Sequence, residues 1–212
     1  MTTRTDTLSD LDFPADGLAV GPDVADLLFR EARTVNTFTD TDVSDEQVRA
    51  AYELLRWGPT AMNTVPLRLL LVRTPEARAR LAAHMPEGNR SRVLAAPLTI
   101  VAAADTNFHE HLDVLAPHLE NARAMFPDAA MRESMARMSA LIQVGYLIVA
   151  LRAVGLHAGP MGAGDTDAID ADLLAGTGWK SLMVVNVGTP AGPESVRPRA
   201  PRLELAQASL SV

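Results

Sequence analysis

Along this chain, stretches whose apolar residues recur every three or four positions alternate with short unbroken apolar runs, and the two patterns predict helices and strands respectively. After Pro22 and Asp23, the residues Val24, Leu27, Leu28 and Ala32 fall on one helical face that ends near Arg33. Ser44 followed by Gln47 makes a capping-box pair, and Val48, Ala51, Leu54 and Leu55 extend one apolar face until Gly58-Pro59. The runs 69–72, 98–104 and 182–187 read as buried strands. Pro75, suited to a first helical turn, opens a helix carrying Ala79 and Leu81. The longest helical pattern, 131–154, includes Met135, Met138, Leu141, Ile142 and Ile148, which predicts a mostly apolar cylinder buried on most sides. Gly159-Pro160-Met161-Gly162-Ala163-Gly164 reads as a backbone-exposed turn ahead of a short helix over 165–174. The alternation of elements predicts an α/β or α+β domain around a small sheet.

Residues 1–20 lack periodicity and read as a flexible N-terminal arm, leaving 21–212 as a single domain. The segment 105–128, rich in His, Asp, Asn and Pro, is longer than most connections and reads as a lid. Gln143 and Arg152 interrupt the most apolar stretch, so it predicts a core helix and not a membrane span. With 26 acidic against 19 basic residues the net charge is −7, the wrong sign for nucleic acid or an anionic membrane surface. The absence of cysteine excludes thiolate nucleophiles, disulfides and thiolate metal sites. No secretory h-region opens the chain, so a cytoplasmic setting is expected.

Signatures of Rossmann dehydrogenases, P-loop NTPases, zincins and α/β-hydrolases are missing. His109-Glu110-His111, near Asp105, Asp113 and His118, has metal-ligating residue types. A spacing of two brings the histidines together only on a strand, whereas this stretch has loop composition. No metal is assigned, and His109, His111 and His118 are candidate substrate contacts on the lid.

Four segments occur in order: Glu31-Ala32-Arg33-Thr34-Val35-Asn36-Thr37-Phe38, Trp57-Gly58-Pro59-Thr60-Ala61-Met62-Asn63-Thr64-Val65-Pro66, Gly159 through Asp165, and Arg197-Pro198-Arg199-Ala200-Pro201. Together they resemble the FMN-dependent nitroreductase family. Trp57-Gly58-Pro59-Thr60, Ala116-Pro117-His118 and Pro201-Arg202-Leu203 are most similar to its malonic semialdehyde reductase (3-hydroxypropanoate-forming) branch. The chemistry of the residues is compatible with this. Arg33, Arg197 and Arg199 can grip phosphate oxygens bidentately. Thr34 and Asn36 can donate to phosphate or ribityl oxygens, Asn63 can read a pyrimidine edge or serve turn chemistry, and Gly162 and Ala163 offer backbone N–H groups beside Pro160 and Met161.

The resemblance implies an α+β nitroreductase-like fold, a small mixed sheet flanked by helices in an intertwined homodimer. It implies that the Gly162 and Ala163 amides face flavin N5 and O4. It also implies that Pro59, Thr60, Ala61 and Met62 line the ring or ribityl chain from the partner subunit. The hydride chemistry would belong to FMN, with no catalytic side chain, NADH or NADPH as donor and a small electrophile as acceptor in a ping-pong cycle. A semialdehyde is the expected acceptor, nitroaromatics or quinones the alternative, and a non-catalytic flavin-binding protein the rival of another class. A metal-dependent hydrolase would be a further rival, separated by elemental analysis. The chain departs from the family where Asn36 stands in place of a basic residue, Val65 in place of Gln, and Ala163-Gly164 in place of Gly-Phe.

Overall fold

Leu67–Val72 (β1), Leu98–Asp105 (β2), His157–Gly162 (β3) and Trp179–Gly188 (β4) form one sheet in the spatial order β1-β2-β4-β3 in the computed structural model, which describes residues 17–212. Most of the expected arm, 1–16, lies outside the described residues. Every pairing in the sheet is antiparallel, where a mixed sheet was expected. The reason lies between β1 and β2. One helix there would return the chain parallel, but two stand in series, Pro75–Ala83 (α3) and Glu87–Ala95 (α4), and the second reverses direction again.

β2 is buried at every position. Its Leu98, Ile100, Ala102 and Ala104 face a core shared with Asp45–Leu55 (α2) and Ala129–Ala153 (α6), while Val101 faces a smaller core with α3 and Thr166–Leu173 (α7). The α2 capping box forms as the sequence predicts, Ser44 Oγ accepting from Gln47 N and Gln47 Oε1 from Ser44 N. α6 is long and apolar enough to cross a bilayer, yet it packs Ala136, Ala140, Val144, Leu147 and Leu151 into the core. Its opposite side leaves Met131, Met138, Leu141, Ile142 and Tyr146 exposed, so it is not buried on most sides within one chain.

Two further expectations change. The Gly159–Gly164 stretch is mostly the edge strand β3, which tolerates Pro160 because an edge strand need not donate from every residue. The first helix, Pro22–Ala25 (α1) continuing as a π-helical turn Asp26–Arg30, stops before Arg33 and leaves residues 33–38 extended. The lid segment is folded: a turn over Phe108–His111, a helical turn Leu112–Leu115 (α5) and another over Ala122–Met125 bury Phe108 edge-on against Phe126, centroids 5.2 Å apart.

A buried amide joins α6 to the sheet. Gln143, 1% exposed, accepts at Oε1 from the first N–H of β1, that of Leu67, at 3.0 Å. Gln143→Met keeps the volume and orphans that donor, so urea unfolding is expected to show a loss of about 1–3 kcal/mol with unchanged helix content. A loss below about 0.5 kcal/mol would mean another group takes the bond.

Candidate functional site

Residues 33–38 lie between β3 and the C-terminal tail. Val35 N donates to the Ala158 carbonyl at 3.0 Å, Asn36 N to the Ser195 carbonyl at 2.8 Å, and Val35 bridges to Val196. A Cβ at residue 159 would stand 2.3 Å from the Val35 carbonyl oxygen, so Gly159 is what lets the strand come this close. Val35 itself is fully buried and anchors the segment.

This arrangement brings Arg33, Thr34, Asn36, Arg197 and Arg199 around one cavity of about 450 Å³, together with Arg202, noted above only as part of a subgroup motif, and Arg92, which no motif marks. Backbone carbonyls hold the side chains: Arg33 donates to Arg197, Arg199 to Arg30 and Ala32, and Arg202 to Ala200 and Pro201. Among the described residues none of these five arginines pairs with a carboxylate.

Arg92 is the most informative of them. Its Nη1 donates to Asn89 Oδ1 at 3.2 Å, while Nε and Nη2 are buried without a hydrogen-bond partner among the described residues. Burial, and then the charge of Arg197, push its pKa down, which is the mark of a cation lacking its counter-ion. Its backbone is pinned by Asn186, whose Nδ2 donates to the Arg92 carbonyl and whose Oδ1 accepts from Thr99. A polyanion with several acceptor oxygens is the ligand that satisfies such a cavity.

A smaller cavity of about 160 Å³ adjoins the same strand and is lined by Arg33, Thr34, Ile148, Arg152, Ala158 and Pro160. Arg152 donates from Nε to the Leu27 carbonyl at 3.1 Å, and its Nη1 stands 2.9 Å from the His157 ring nitrogens. Burial first, and Arg152 second, lower the His157 pKa, so the ring is neutral and accepts.

The other candidates divide. Met161 and Ala163 are buried toward the smaller core and offer only backbone, whereas a Cβ at Gly162 would meet nothing within 4 Å, leaving open space before that strand end. Gly164, at φ 68°, lies against the His84 carbonyl, where a Cβ would approach to 2.4 Å, so the Phe expected of the family cannot stand there. Pro59, Thr60, Ala61, Met62 and Asn63 line neither cavity. Their loop is tied to α6 and the lid: Ala61 N donates to Ser139 Oγ, and Asn63 Nδ2 to the Leu115 carbonyl at 2.7 Å.

The three lid histidines do not converge. His109 faces a polar cavity with Arg123 and Arg132, His111 an apolar one with Tyr52, Val65 and Trp179, and His118 is exposed. Asp105 is engaged by Arg68 at 2.7 Å, and no group of three potential metal ligands occurs among the described residues.

The fold and this cavity define an antiparallel α+β protein with five arginines gathered, without carboxylate partners among the described residues, at the junction of a strand edge and the C-terminal tail. The family model of the Nitroreductase family matches residues 29–189, and the chain belongs to that family. A Streptomyces coelicolor protein provisionally named NADH dehydrogenase/NAD(P)H nitroreductase is 50% identical over 196 residues, covering 92% of this chain and 99% of its own. A Leptothrix cholodnii protein with the same provisional name is 47% identical over 178 residues, 84% of this chain and 90% of that one. Among solved structures, a provisionally assigned nitroreductase of Exiguobacterium sibiricum in complex with FMN superposes with a TM-score of 0.76 at 17% identity, covering 91% of this chain and 99% of that one. At that identity the likeness is one of fold.

The two half-buried imidazoles carry a pH dependence. His157 and His109 both have pKa values lowered from 6.5, chiefly by burial. Between the lowered value and 6.5 the unfolded chain binds more protons, so stability is complete above 6.5 and falls as the pH drops below it. Urea midpoints are expected to decline from about pH 7.5 to about pH 5.5. His157→Gln, which keeps an acceptor for Arg152 and cannot titrate, should flatten part of that decline; an unchanged slope would assign it to other groups.

Proposed function

We propose that the chain is an FMN-dependent NAD(P)H oxidoreductase acting on small electrophiles as a homodimer. The observation that carries this is the arginine cavity, above all the buried Nε and Nη2 of Arg92 without partners. An unmet buried donor costs roughly 1–3 kcal/mol, more when charged, and a phosphate monoester supplies the oxygens and charge that remove the cost. Thr34 and Asn36 add hydroxyl and amide donors on the same wall. The relatives' printed names support NADH or NADPH as electron source, and FMN bound in similar folds from Exiguobacterium sibiricum and Desulfovibrio desulfuricans supports the cofactor.

When bound, FMN supplies the hydride acceptance and donation, so the chain's own residues bind and orient and do not act as nucleophile or base. Arg33, Arg92, Arg197, Arg199 and Arg202 would hold the phosphate, and the N–H groups of Gly162 and Ala163 would hold the ring edge. The reading places the enzyme in the cytoplasm, where reduced nicotinamide is kept.

Two acceptor classes fit. A semialdehyde such as malonic semialdehyde follows from the Trp57-Gly58-Pro59-Thr60 and Pro201-Arg202-Leu203 motifs. Nitroaromatics or quinones follow from the relatives' names. Steady-state NAD(P)H oxidation with each acceptor decides between them, and no turnover with any would leave a non-catalytic flavin-binding protein. FMN added to cofactor-free protein should bind with quenching of its fluorescence. Arg92→Gln and Arg199→Ala should each weaken binding about tenfold, one charge-assisted contact being worth roughly 1.5–3 kcal/mol. Unchanged affinity in the Arg197→Ala/Arg199→Ala double variant would move the phosphate elsewhere.

The homodimer rests on the exposed stripe of α6. Met138 (58% exposed), Leu141 (48%), Ile142 (44%) and Tyr146 (45%) continue into Trp57 (79%) and Met62 (38%). Gly58 packs so closely on the Tyr146 ring that a Cβ would lie 2.9 Å away, which makes loop and helix one surface. A patch of this kind is covered in stable proteins, and a second copy also brings the Pro59–Asn63 loop to the other cavity. Light scattering at micromolar concentration should give twice the chain mass; a monomer retaining FMN would overturn the dimer.

A further inference from the structure

Arg152 is only 8% exposed, and among the described residues no carboxylate lies within ion-pair distance of it. Its hydrogen-bond partners, the Leu27 carbonyl and the His157 ring, are neutral. They satisfy donors without cancelling the charge, and a buried cation left uncompensated is costly. The adjoining cavity is walled by Thr34, Pro160 and Ile148, with Arg33 at its border. Thr34 and Pro160 belong to the set assigned to the cofactor above, so the unpaired charge opens toward that ligand and not toward the far side of the protein.

Five arginines already line the neighbouring cavity, where the phosphate would sit in the proposed reading. We propose that Arg152 is the countercharge of the flavin ring in its reduced state, held in place by His157. Reduction of FMN by two electrons and one proton leaves the ring with one more negative charge than before. A fixed guanidinium in a low-dielectric wall favours that charge over the neutral oxidised ring. His157, being neutral, orients Nη1 without competing for the anion. The inference rests on the FMN reading.

The test is the midpoint potential of bound FMN, measured by reductive titration against an indicator dye, beside the affinity for oxidised FMN and the melting temperature of cofactor-free protein. Arg152→Gln is expected to weaken binding of reduced relative to oxidised FMN at least about tenfold, equivalent to a potential about 30 mV more negative. Arg152→Lys should recover most of the shift. A packing role would lower the melting temperature and leave the potential where it was, and that result overturns the proposal. Weaker binding of oxidised FMN at an unmoved potential also overturns it, by assigning Arg152 to the phosphate. Should the Gln variant not fold, Ile148→Glu places a carboxylate one turn from Arg152, and its potential must fall likewise; an unshifted value overturns the proposal. Wild-type protein that takes up no FMN overturns the functional reading and this inference together, whereas FMN uptake with identical potentials in wild type and Arg152→Gln overturns this one alone.

Discussion

Five guanidinium groups share one cavity in a chain whose net charge is −7, and within the described residues no carboxylate answers them. Like charges gathered in this way repel, and the fold must hold them there by other means. It does so with neutral dipoles: carbonyls of residues 30, 32, 197, 200 and 201 accept from the arginine side chains. Carbonyls orient guanidinium groups without discharging them. The cluster therefore stays electrostatically unfinished, which is the condition for binding a polyanion strongly and leaves the chain's acidic surface free to keep other polyanions away.

The rest of the fold can be read as what brings those arginines together. Residues 33–38 reach them only because the first helix stops at Arg30 and the chain then lies along β3, with Gly159 admitting the Val35 carbonyl. The tail reaches them through the Val35–Val196 bridge and the buried Ser195, whose Oγ accepts from Gly192 N and Thr37 Oγ1. Arg92 arrives from the opposite layer, fixed by Asn186 of the central strand β4. Three distant parts of the chain thus meet at one point because one edge strand is thin enough to be approached.

How much of this was legible in the sequence follows from where each signal resides. Ser44 and Gln47, or Pro75, act within a few residues, and their helices form as read. Arg33, Arg197 and Arg199 stood out through local motifs, and the structure gathers them. Arg92 did not, because Gly88-Asn89-Arg90-Ser91-Arg92 has no apolar period and its meaning comes from burial by other elements. The mixed sheet came with the resemblance, and no local signal between β1 and β2 corrected it. β3 read as a turn because glycine and proline dominate it, yet those residues are present for the close approach to Val35 and the edge position. His109 and His111, which a spacing of two would bring together only on a strand, sit on a tight helical turn that sends them to different cavities.

The loop 59–66 shows the same logic away from the arginine cavity. Met62, Asn63 and Val65 all have positive φ, at 53°, 54° and 40°, and for a β-branched residue such as Val65 this is a real outlier. Strain of this kind costs on the order of 1–3 kcal/mol per residue and persists only where neighbours over-determine it. Here Thr60 Oγ1 accepts from Val65 N, Ser139 from Ala61 N, and the lid carbonyl of Leu115 from Asn63. Held in this way, the loop stays beside the apolar stripe of α6, with Gly58 against the Tyr146 ring. In the proposed dimer that is the surface facing the other copy, so a single chain carries the phosphate half of one site and the loop half of another. In that arrangement the strain would serve a site on the other copy, which is why it has no counterpart among the contacts of the single chain.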